Sequence, residues 1–194
     1  MLEPNKILVI RFSSLGDLIL TSPIFRELRR IFPGANLNLL TSVGFGDVLD
    51  NNPHLDRIIK HPRKENFEQL NQLIEELQAE DFDLIYDAHR SMRSRWIVSR
   101  LTAFGMKRQP AVWKIDKRTL NRKLLIHLGW NRLQQGLSQR EQWLLPLKQH
   151  APHGLDASTE LFPDQEDTSL IDTCLLYTSP SPRDVEESRM PSSA

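Results

Sequence analysis

An aspartate that closely follows an apolar run, Ser13, Ser14 and Gly16 is a candidate for two kinds of chemistry. Asp17 could take a proton from a hydroxyl nucleophile. Ser13, Ser14 and Gly16 could present backbone N–H groups to a phosphate, because a helix start offers unpaired donors and a favourable dipole. Gly16 would let the backbone come close to such a ligand. A structural reading fits the same residues. Ser14-Leu-Gly-Asp17 matches a capping box in which Asp17 holds a free backbone N–H, and Ser13 to Gly16 matches an ordinary strand-to-helix turn. One glycine is short of G-x-G-x-x-G and no G-K-[ST] follows, so pattern alone points weakly to a nucleotide. An unperturbed Asp has a pKa of ~3.9, and a helix N-terminus lowers it further. A base that weak works by accepting the proton late, as the hydroxyl attacks an electron-poor carbon.

The elements that must position Asp17 follow from periodicity. Ile7 to Ile10 is an apolar run inside a strand read over Lys6–Phe12, and an amphipathic helix over Asp17–Phe32 is restarted at Ser22-Pro23. Pro33-Gly34 ends it. A second strand is expected over Asn36–Thr41, a short helix over Gly46–Asp50 and a third strand over Arg57–Lys60. Glu65–Ala79 carries Phe67, Leu70, Ile74 and Leu77 on one face and reads as a helix. A fourth strand over Asp83–Tyr86, a helix over Ser91–Phe104, a strand over 108–114 and a helix over Arg118–Leu128 complete the alternation. Strands alternating with helices of this length imply an α/β fold, a Rossmann-like parallel sheet. In such sheets ligands bind at the carboxyl ends of the strands, which is where Asp17 falls. From about Ser138 the periodic signal weakens. Pro146, Pro152, Pro163 and the acidic cluster Asp164–Asp167 have the look of a linker.

Charge is segregated along the chain. Residues 88–135 hold twelve Lys/Arg and one acid, net +11, whereas residues 1–87 and 136–173 each carry net −5. A basic middle of this kind attracts polyanions. Arg93, Lys114, Lys117 and Arg118 are the candidate phosphate or carboxylate contacts, since Arg grips both bidentately. Arg100 and Lys107 fit solvated helix faces. His89 directly follows a strand and could face the ligand cleft or serve structurally. Trp96, Trp113, Trp130 and Trp143 lie among or near these cations, a mixture that also occurs in nucleic-acid binders. No helix-turn-helix, RNP or zinc-finger spacing supports that reading. Core packing is the better account of most of them, so no nucleic-acid partner is expected.

The first βα segment, Arg11-Phe-Ser-Ser-Leu-Gly-Asp-Leu-Ile-Leu-Thr-Ser-Pro23, resembles that of glycosyltransferase family 9, the ADP-heptose:lipopolysaccharide heptosyltransferases of Gram-negative bacteria. Asn51-Asn-Pro-His-Leu-Asp-Arg-Ile-Ile59 is similar to the family's N-P-x-V-D-x-V-I. Phe82-Asp-Leu-Ile-Tyr-Asp-Ala-His-Arg-Ser-Met-Arg-Ser94 is similar to its Y-D-x-x-x-D-x-x-x-x-x-R-S segment. Ala88 stands where leucine is usual, and Arg90-Ser91 replaces Gly-Asn, so a loop of different shape is expected there. The three motifs occur in order within roughly residues 5–130.

The resemblance implies the N-terminal, acceptor-side half of a two-domain GT-B glycosyltransferase. Residues 1–150 would form that domain and residues 151–173 the start of an interdomain linker; the nucleotide-sugar domain would lie beyond. Asp17 would be the catalytic base, with Ser13, Ser14, Gly16, His89, Arg93, Lys114, Lys117 and Arg118 in contact with substrates. The implied reaction is an inverting transfer of heptose from ADP-heptose to the lipopolysaccharide inner core, without a metal or other cofactor. The implied protein is a monomer, cytoplasmic and peripheral at the anionic cytoplasmic face of the inner membrane. Another nucleotide-sugar or acceptor, or a non-catalytic anion- or nucleotide-binding module, stays open as an alternative. Residues 174–194 match neither the family nor a fold. Cys174-Leu-Leu-Tyr-Thr-Ser-Pro-Ser-Pro-Arg-Asp184 reads as a translated transposase-type sequencing adapter, and Ser188–Ala194 as its flow-cell end. The sole cysteine, Cys174, lies in that tail, so residues 1–173 have none to form a disulfide or a thiolate site. Residues 1–173 by themselves are expected to be inactive. No signal-peptide pattern and no apolar run of 18 residues is present.

Overall fold

The computed structural model describes residues 3–64, 66–103, 109–115 and 137–163. Five strands form one fully parallel sheet: β1 (Lys6–Ile10), β2 (Asn36–Ser42), β3 (Arg57–His61), β4 (Leu84–Asp87) and β5 (Ala111–Lys114), in the order β3-β2-β1-β4-β5. The expected sheet is therefore present, with β1 at its centre. Its register pairs Ile10 with Leu40 on one side and with Asp87 on the other.

β1 is apolar without alternation because helices cover both faces. Ile7 and Val9 enter one core beneath α1 (Leu15–Ile19) and α2 (Ser22–Ile31), joined by Leu18, Phe25 and Leu28. Leu8 and Ile10 enter the other beneath α3 (Phe67–Ala79) and α4 (Met92–Leu101), joined by Leu73, Leu77, Ile97 and Leu101. Asn66 caps α3: its side chain accepts from Gln69 N at 2.8 Å, while Gln69 Oε1 accepts from Asn66 N at 3.1 Å. The helix expected over Asp17–Phe32 is two helices. Leu20 closes the short α1, and α2 begins after Thr21 with Pro23 at its second position, where a missing N–H costs nothing. The helix expected over Arg118–Leu128 and the tail 174–194 lie outside the described residues.

Past Ser138 the chain is more ordered than its periodicity suggests. Ser138-Gln-Arg-Glu141 is a capping box, with Ser138 N donating to Glu141 Oε2 at 2.6 Å, and it starts α5 (Gln139–Leu144). A 3₁₀ turn over Leu145–His150 follows. Trp143, Leu144 and Leu147 are buried in the α2 core, and the Tyr86 hydroxyl donates to the Trp143 carbonyl. Trp143 thus packs as expected of a core residue, whereas Trp96 is exposed.

Residues 154–160 lie against α2. Arg26 pairs with Asp156 at 3.0 Å and with Glu160, Ser22 Oγ accepts from Glu160 N at 2.9 Å, and His54 Nε2 meets Glu160 Oε2 at 3.1 Å. The compact unit ends at Leu161. No helix among the described residues is long and apolar enough to cross a membrane.

Burial of Glu160 by itself opposes its charged form, but hydrogen bonds and charge from Arg26 and His54 outweigh it and hold the carboxyl below its ordinary value. A depressed folded-state pKa contributes stability above the unfolded value, and that contribution is lost as pH falls through the folded one. The melting temperature of the parent chain is therefore expected to fall more steeply below the ordinary glutamate value of 4.5 than that of Glu160→Gln. Thermal denaturation at stepped pH checks it; parallel acid limbs would contradict it.

Candidate functional site

The carboxyl ends of β1 and β4 carry the candidate residues to one edge of the sheet. The chain leaves β1 through Arg11, Phe12, Ser13 and Ser14 into α1, and leaves β4 through Ala88 to Ser91 into α4. Asp17 is the third residue of α1, at the rim of this edge, with its side chain about one third exposed at 35%.

Its main partner is a residue that sequence reasoning did not single out. Arg11 is buried, and its Nη2 lies 2.5 Å from Asp17 Oδ2. Arg11 Nη1 donates to the Ala88 carbonyl at 2.5 Å, and the guanidinium lies 4.8 Å from the centre of the Trp143 ring. One buried cation therefore ties the β1 loop, the β4 loop and α5 together. Burial lowers the pKa of Arg11, while the charges of Asp17 and Asp87 oppose that shift. A buried charge is tolerated only when paired and hydrogen-bonded. An arginine at the end of an apolar strand, six residues before an aspartate, was the available sequence signal.

The capping role of Asp17 is weaker than its ion pair. Ser14 N reaches Asp17 Oδ2 only at 3.5 Å, the outer limit of a hydrogen bond. α1 spans five residues, so it sums few peptide dipoles at the Ser13–Gly16 corner. A Cβ placed on Gly16 would meet nothing within 4 Å, so the fold itself does not require glycine there.

His89 and Arg93 converge on Phe12. The His89 ring stands edge-on to Phe12 with centroids 5.7 Å apart, and the Arg93 guanidinium lies 4.1 Å from the Phe12 centroid. Arg93 Nη2 also donates to the Pro62 carbonyl at 3.0 Å, so part of its donor capacity is committed within the domain. Lys114 is exposed at the end of β5, in register with Asp87. It borders an open groove of ≈ 260 Å³ shared with Asp87, Arg90 and Arg95. Lys117 and Arg118 lie outside the described residues. Asp17, Ser13, Ser14, Gly16, His89, Arg93 and Lys114 thus share one edge of the sheet. Among the described residues, no group of three or more His, Cys, Asp or Glu is placed to hold a metal ion.

Asp87 is a second residue that the sequence reading passed over. It is buried; Oδ1 accepts from Arg90 N at 2.7 Å and His89 N at 3.1 Å, and Oδ2 accepts from Ser94 Oγ at 3.2 Å. These bonds fold the β4 loop back on itself. Arg90 holds φ at +50°, a left-handed conformation that glycine adopts freely and other residues rarely. Arg90 thus holds a conformation typical of glycine. Arg90 Nη1 donates to the Ile115 carbonyl at 2.9 Å, a contact glycine would lack.

Asp87→Ala is expected to cost ~2–3 kcal/mol, because hydrogen bonds to a charged acceptor are worth ~1.5–3 kcal/mol and three donors lose theirs. Asp87→Asn is expected to cost less, since its carbonyl oxygen still accepts from both backbone N–H groups. Urea unfolding of the two variants checks the order, and equal losses would contradict it.

No protein-family model matches the chain. Among curated proteins it is 26% identical to lipopolysaccharide heptosyltransferase 1 of Pseudomonas aeruginosa over 166 residues, covering 78% of this chain and 46% of that protein. It is 28% identical to lipopolysaccharide heptosyltransferase 1 of Escherichia coli K12 over 111 residues, covering 53% of this chain and 34% of that protein. The chain thus spans less than half the length of these curated relatives. Among solved structures, a family 9 glycosyltransferase of Veillonella parvula superposes with a TM-score of 0.63 at 18% identity, covering 93% of this chain and 52% of that one. The ADP-heptose lipopolysaccharide heptosyltransferase II of Escherichia coli superposes at 0.55 and 19% identity, covering 91% and 52%. At such identities these two establish the fold alone. Motif order, sequence similarity and fold together show that the chain resembles the heptosyltransferases of glycosyltransferase family 9.

Proposed function

We propose that this chain is the acceptor-side half of an inverting glycosyltransferase that moves heptose from ADP-heptose to the lipopolysaccharide inner core. The observation that carries this reading is the position of Asp17: partly exposed, at the carboxyl edge of the central strand, in a chain similar to heptosyltransferase 1. In this reading Asp17 takes the proton of the acceptor hydroxyl as that oxygen bonds to the anomeric carbon. The bond from that carbon to the diphosphate oxygen breaks, and ADP departs with the electron pair. Attack from the face opposite the diphosphate inverts the centre. No metal is required of this half. Stabilisation of the departing diphosphate belongs to the second domain, which also selects the donor.

Arg11 sets the terms for Asp17. An arginine 2.5 Å away fixes the orientation of the carboxylate. Arg93, Lys114 and the basic residues after them, Lys117 and Arg118, would meet acceptor carboxylates and phosphates. Ser13, Ser14 and Gly16 would line the approach to Asp17. His89, edge-on to Phe12, would border the same cleft. We take the enzyme as cytoplasmic and peripheral to the inner membrane, where its acceptor lies.

A second reading is favoured by the same ion pair: Asp17 as a structural partner of a buried cation in a non-catalytic anion-binding module. Joined to a C-terminal half from a relative, the chain is expected to turn over, whereas residues 1–173 alone are not, because transfer needs donor and acceptor held together. Asp17→Asn in the joined protein is expected to lower kcat by ~10²–10⁴-fold, the usual contribution of a positioned base. Donor affinity should change little. Unfolding curves provide the control, since Arg11 keeps its bond to Ala88 and the field of Asp87 and the variant should stay folded. Full turnover by the folded variant would favour the structural reading, and turnover by residues 1–173 alone would refute the two-domain one.

A further inference from the structure

Three large exposed apolar side chains gather at one corner of the α3/α4 face. Phe67, 66% exposed, opens α3; Met92, 89% exposed, and Trp96, 44% exposed, lie one turn apart on α4. The Phe67 and Trp96 rings are 6.5 Å apart. Positions four apart share a helix face, so the row Met92–Trp96 continues to the exposed Arg100. The bond from Arg93 to the Pro62 carbonyl holds the β3–α3 loop against the start of α4, and the exposed Arg63 and Lys64 follow in that loop.

The charge around this corner has one sign on the α4 side. α4 carries Arg93, Arg95 and Arg100 and no acid, and residues 88–115 contain no Asp or Glu at all. On the α3 side the acids are Glu65, which follows Lys64 in the sequence and lies outside the described residues, and the exposed Glu68. Glu75 and Glu76 lie two or more turns further along, a separation of ~12 Å or more at 1.5 Å per residue. Trp and Phe beside long cationic side chains suit a lipid interface: the rings enter at head-group level while guanidinium and ammonium groups meet phosphates. A stable protein interface would ask for ~20–30 residues a side, far more than these three apolar side chains with their cationic rim.

We propose that Phe67, Met92 and Trp96, rimmed by Arg63, Lys64, Arg95 and Arg100, form a docking surface for a bilayer bearing anionic phospholipid head groups. The assignment builds on the proposed lipid-linked acceptor. α3 and α4 both start at the carboxyl edge of the sheet, so docking here would bring the edge that holds Asp17 to the lipid surface.

Sedimentation of the full chain with phosphatidylethanolamine/phosphatidylglycerol vesicles, compared with phosphatidylcholine vesicles, tests it. Binding is expected to the anionic vesicles, to fall with salt, and to be weak on the neutral ones. The triple variant Phe67→Ser, Met92→Ser, Trp96→Ser should bind about tenfold or more weakly, and Lys64→Glu with Arg100→Glu should weaken binding comparably. Both should melt with the parent chain, because all five side chains reach solvent. Tryptophan emission should shift to the blue on anionic vesicles and cease to do so in Trp96→Phe. Undiminished binding by the triple variant, equal binding to neutral vesicles, or self-association that the triple variant abolishes without any vesicle binding would each overturn the assignment. Asp17→Asn should bind vesicles as the parent does, so failure of this docking surface and failure of the transferase reading are separately visible.

Discussion

A guanidinium buried at the end of the central strand organises the carboxyl edge of this domain. Arg11 leaves β1 where the sheet stops, and its own side chain is almost wholly buried. Its partners must therefore come from the chain: Asp17 from α1, the Ala88 carbonyl from the β4 loop and the Trp143 ring from α5. Elements far apart in sequence are brought to one point by that requirement. Removing one partner of a buried pair is costly because it strands the other charge. The edge is consequently fixed in shape before any ligand arrives, which is the condition for positioning a reacting group.

Asp87 does the corresponding work on the neighbouring strand. β1 and β4 end side by side, Ile10 opposite Asp87, so their loops are forced into contact. The Asp87 carboxylate spends its acceptors on two backbone N–H groups and the Ser94 hydroxyl. That leaves the loop little freedom, and Arg90 is held in a left-handed conformation that its own side chain would not choose. Two acids at one edge thus differ in kind. Asp87 is buried and saturated with donors, whereas Asp17 is partly exposed and shared between an arginine and solvent. Only the second is reachable from solvent.

The sheet was legible because parallel strands covered on both faces leave continuous apolar runs, as in Ile7–Ile10 and Leu84–Tyr86. That the sheet is parallel followed from the alternation with helices, whereas the order β3-β2-β1-β4-β5 is a finding of the structure. Asp17 was legible as a candidate because a strand–turn–helix pattern places it at the carboxyl edge. Arg11 was not, because a charge flanked by apolar residues reads as the end of a strand, and its partner Ala88 O is a backbone atom far along the chain. α5 was missed for a different reason: a helix of six residues is too short to show a 3.6-residue period, though its Ser138-x-x-Glu141 box was present to be read. Arg93 was read as a ligand contact on charge alone. Its stacking on Phe12 and its bond to Pro62 depend on how α4 approaches the β3–α3 loop, which no local pattern encodes.

The segregation of charge acquires a physical sense once the fold is known. The described cations of the basic middle sit in the β4–α4 loop, on α4 and at the end of β5, so the positive field gathers over the carboxyl edge and the adjoining helical layer. The acids of the first 87 residues are largely spent locally: Asp47 and Asp50 on Lys60, Asp56 on Arg29, Glu80 on Lys6 and Arg57. Neutralised pairs screen one another, while the exposed cations Arg95 and Arg100 on α4 add. A chain of zero formal net charge can therefore present a positive face to an anionic partner. The same helix that holds the β4 loop in shape through Ser94 carries that face outward through Arg95 and Arg100, so the shape of that loop and the charge beside it depend on one element.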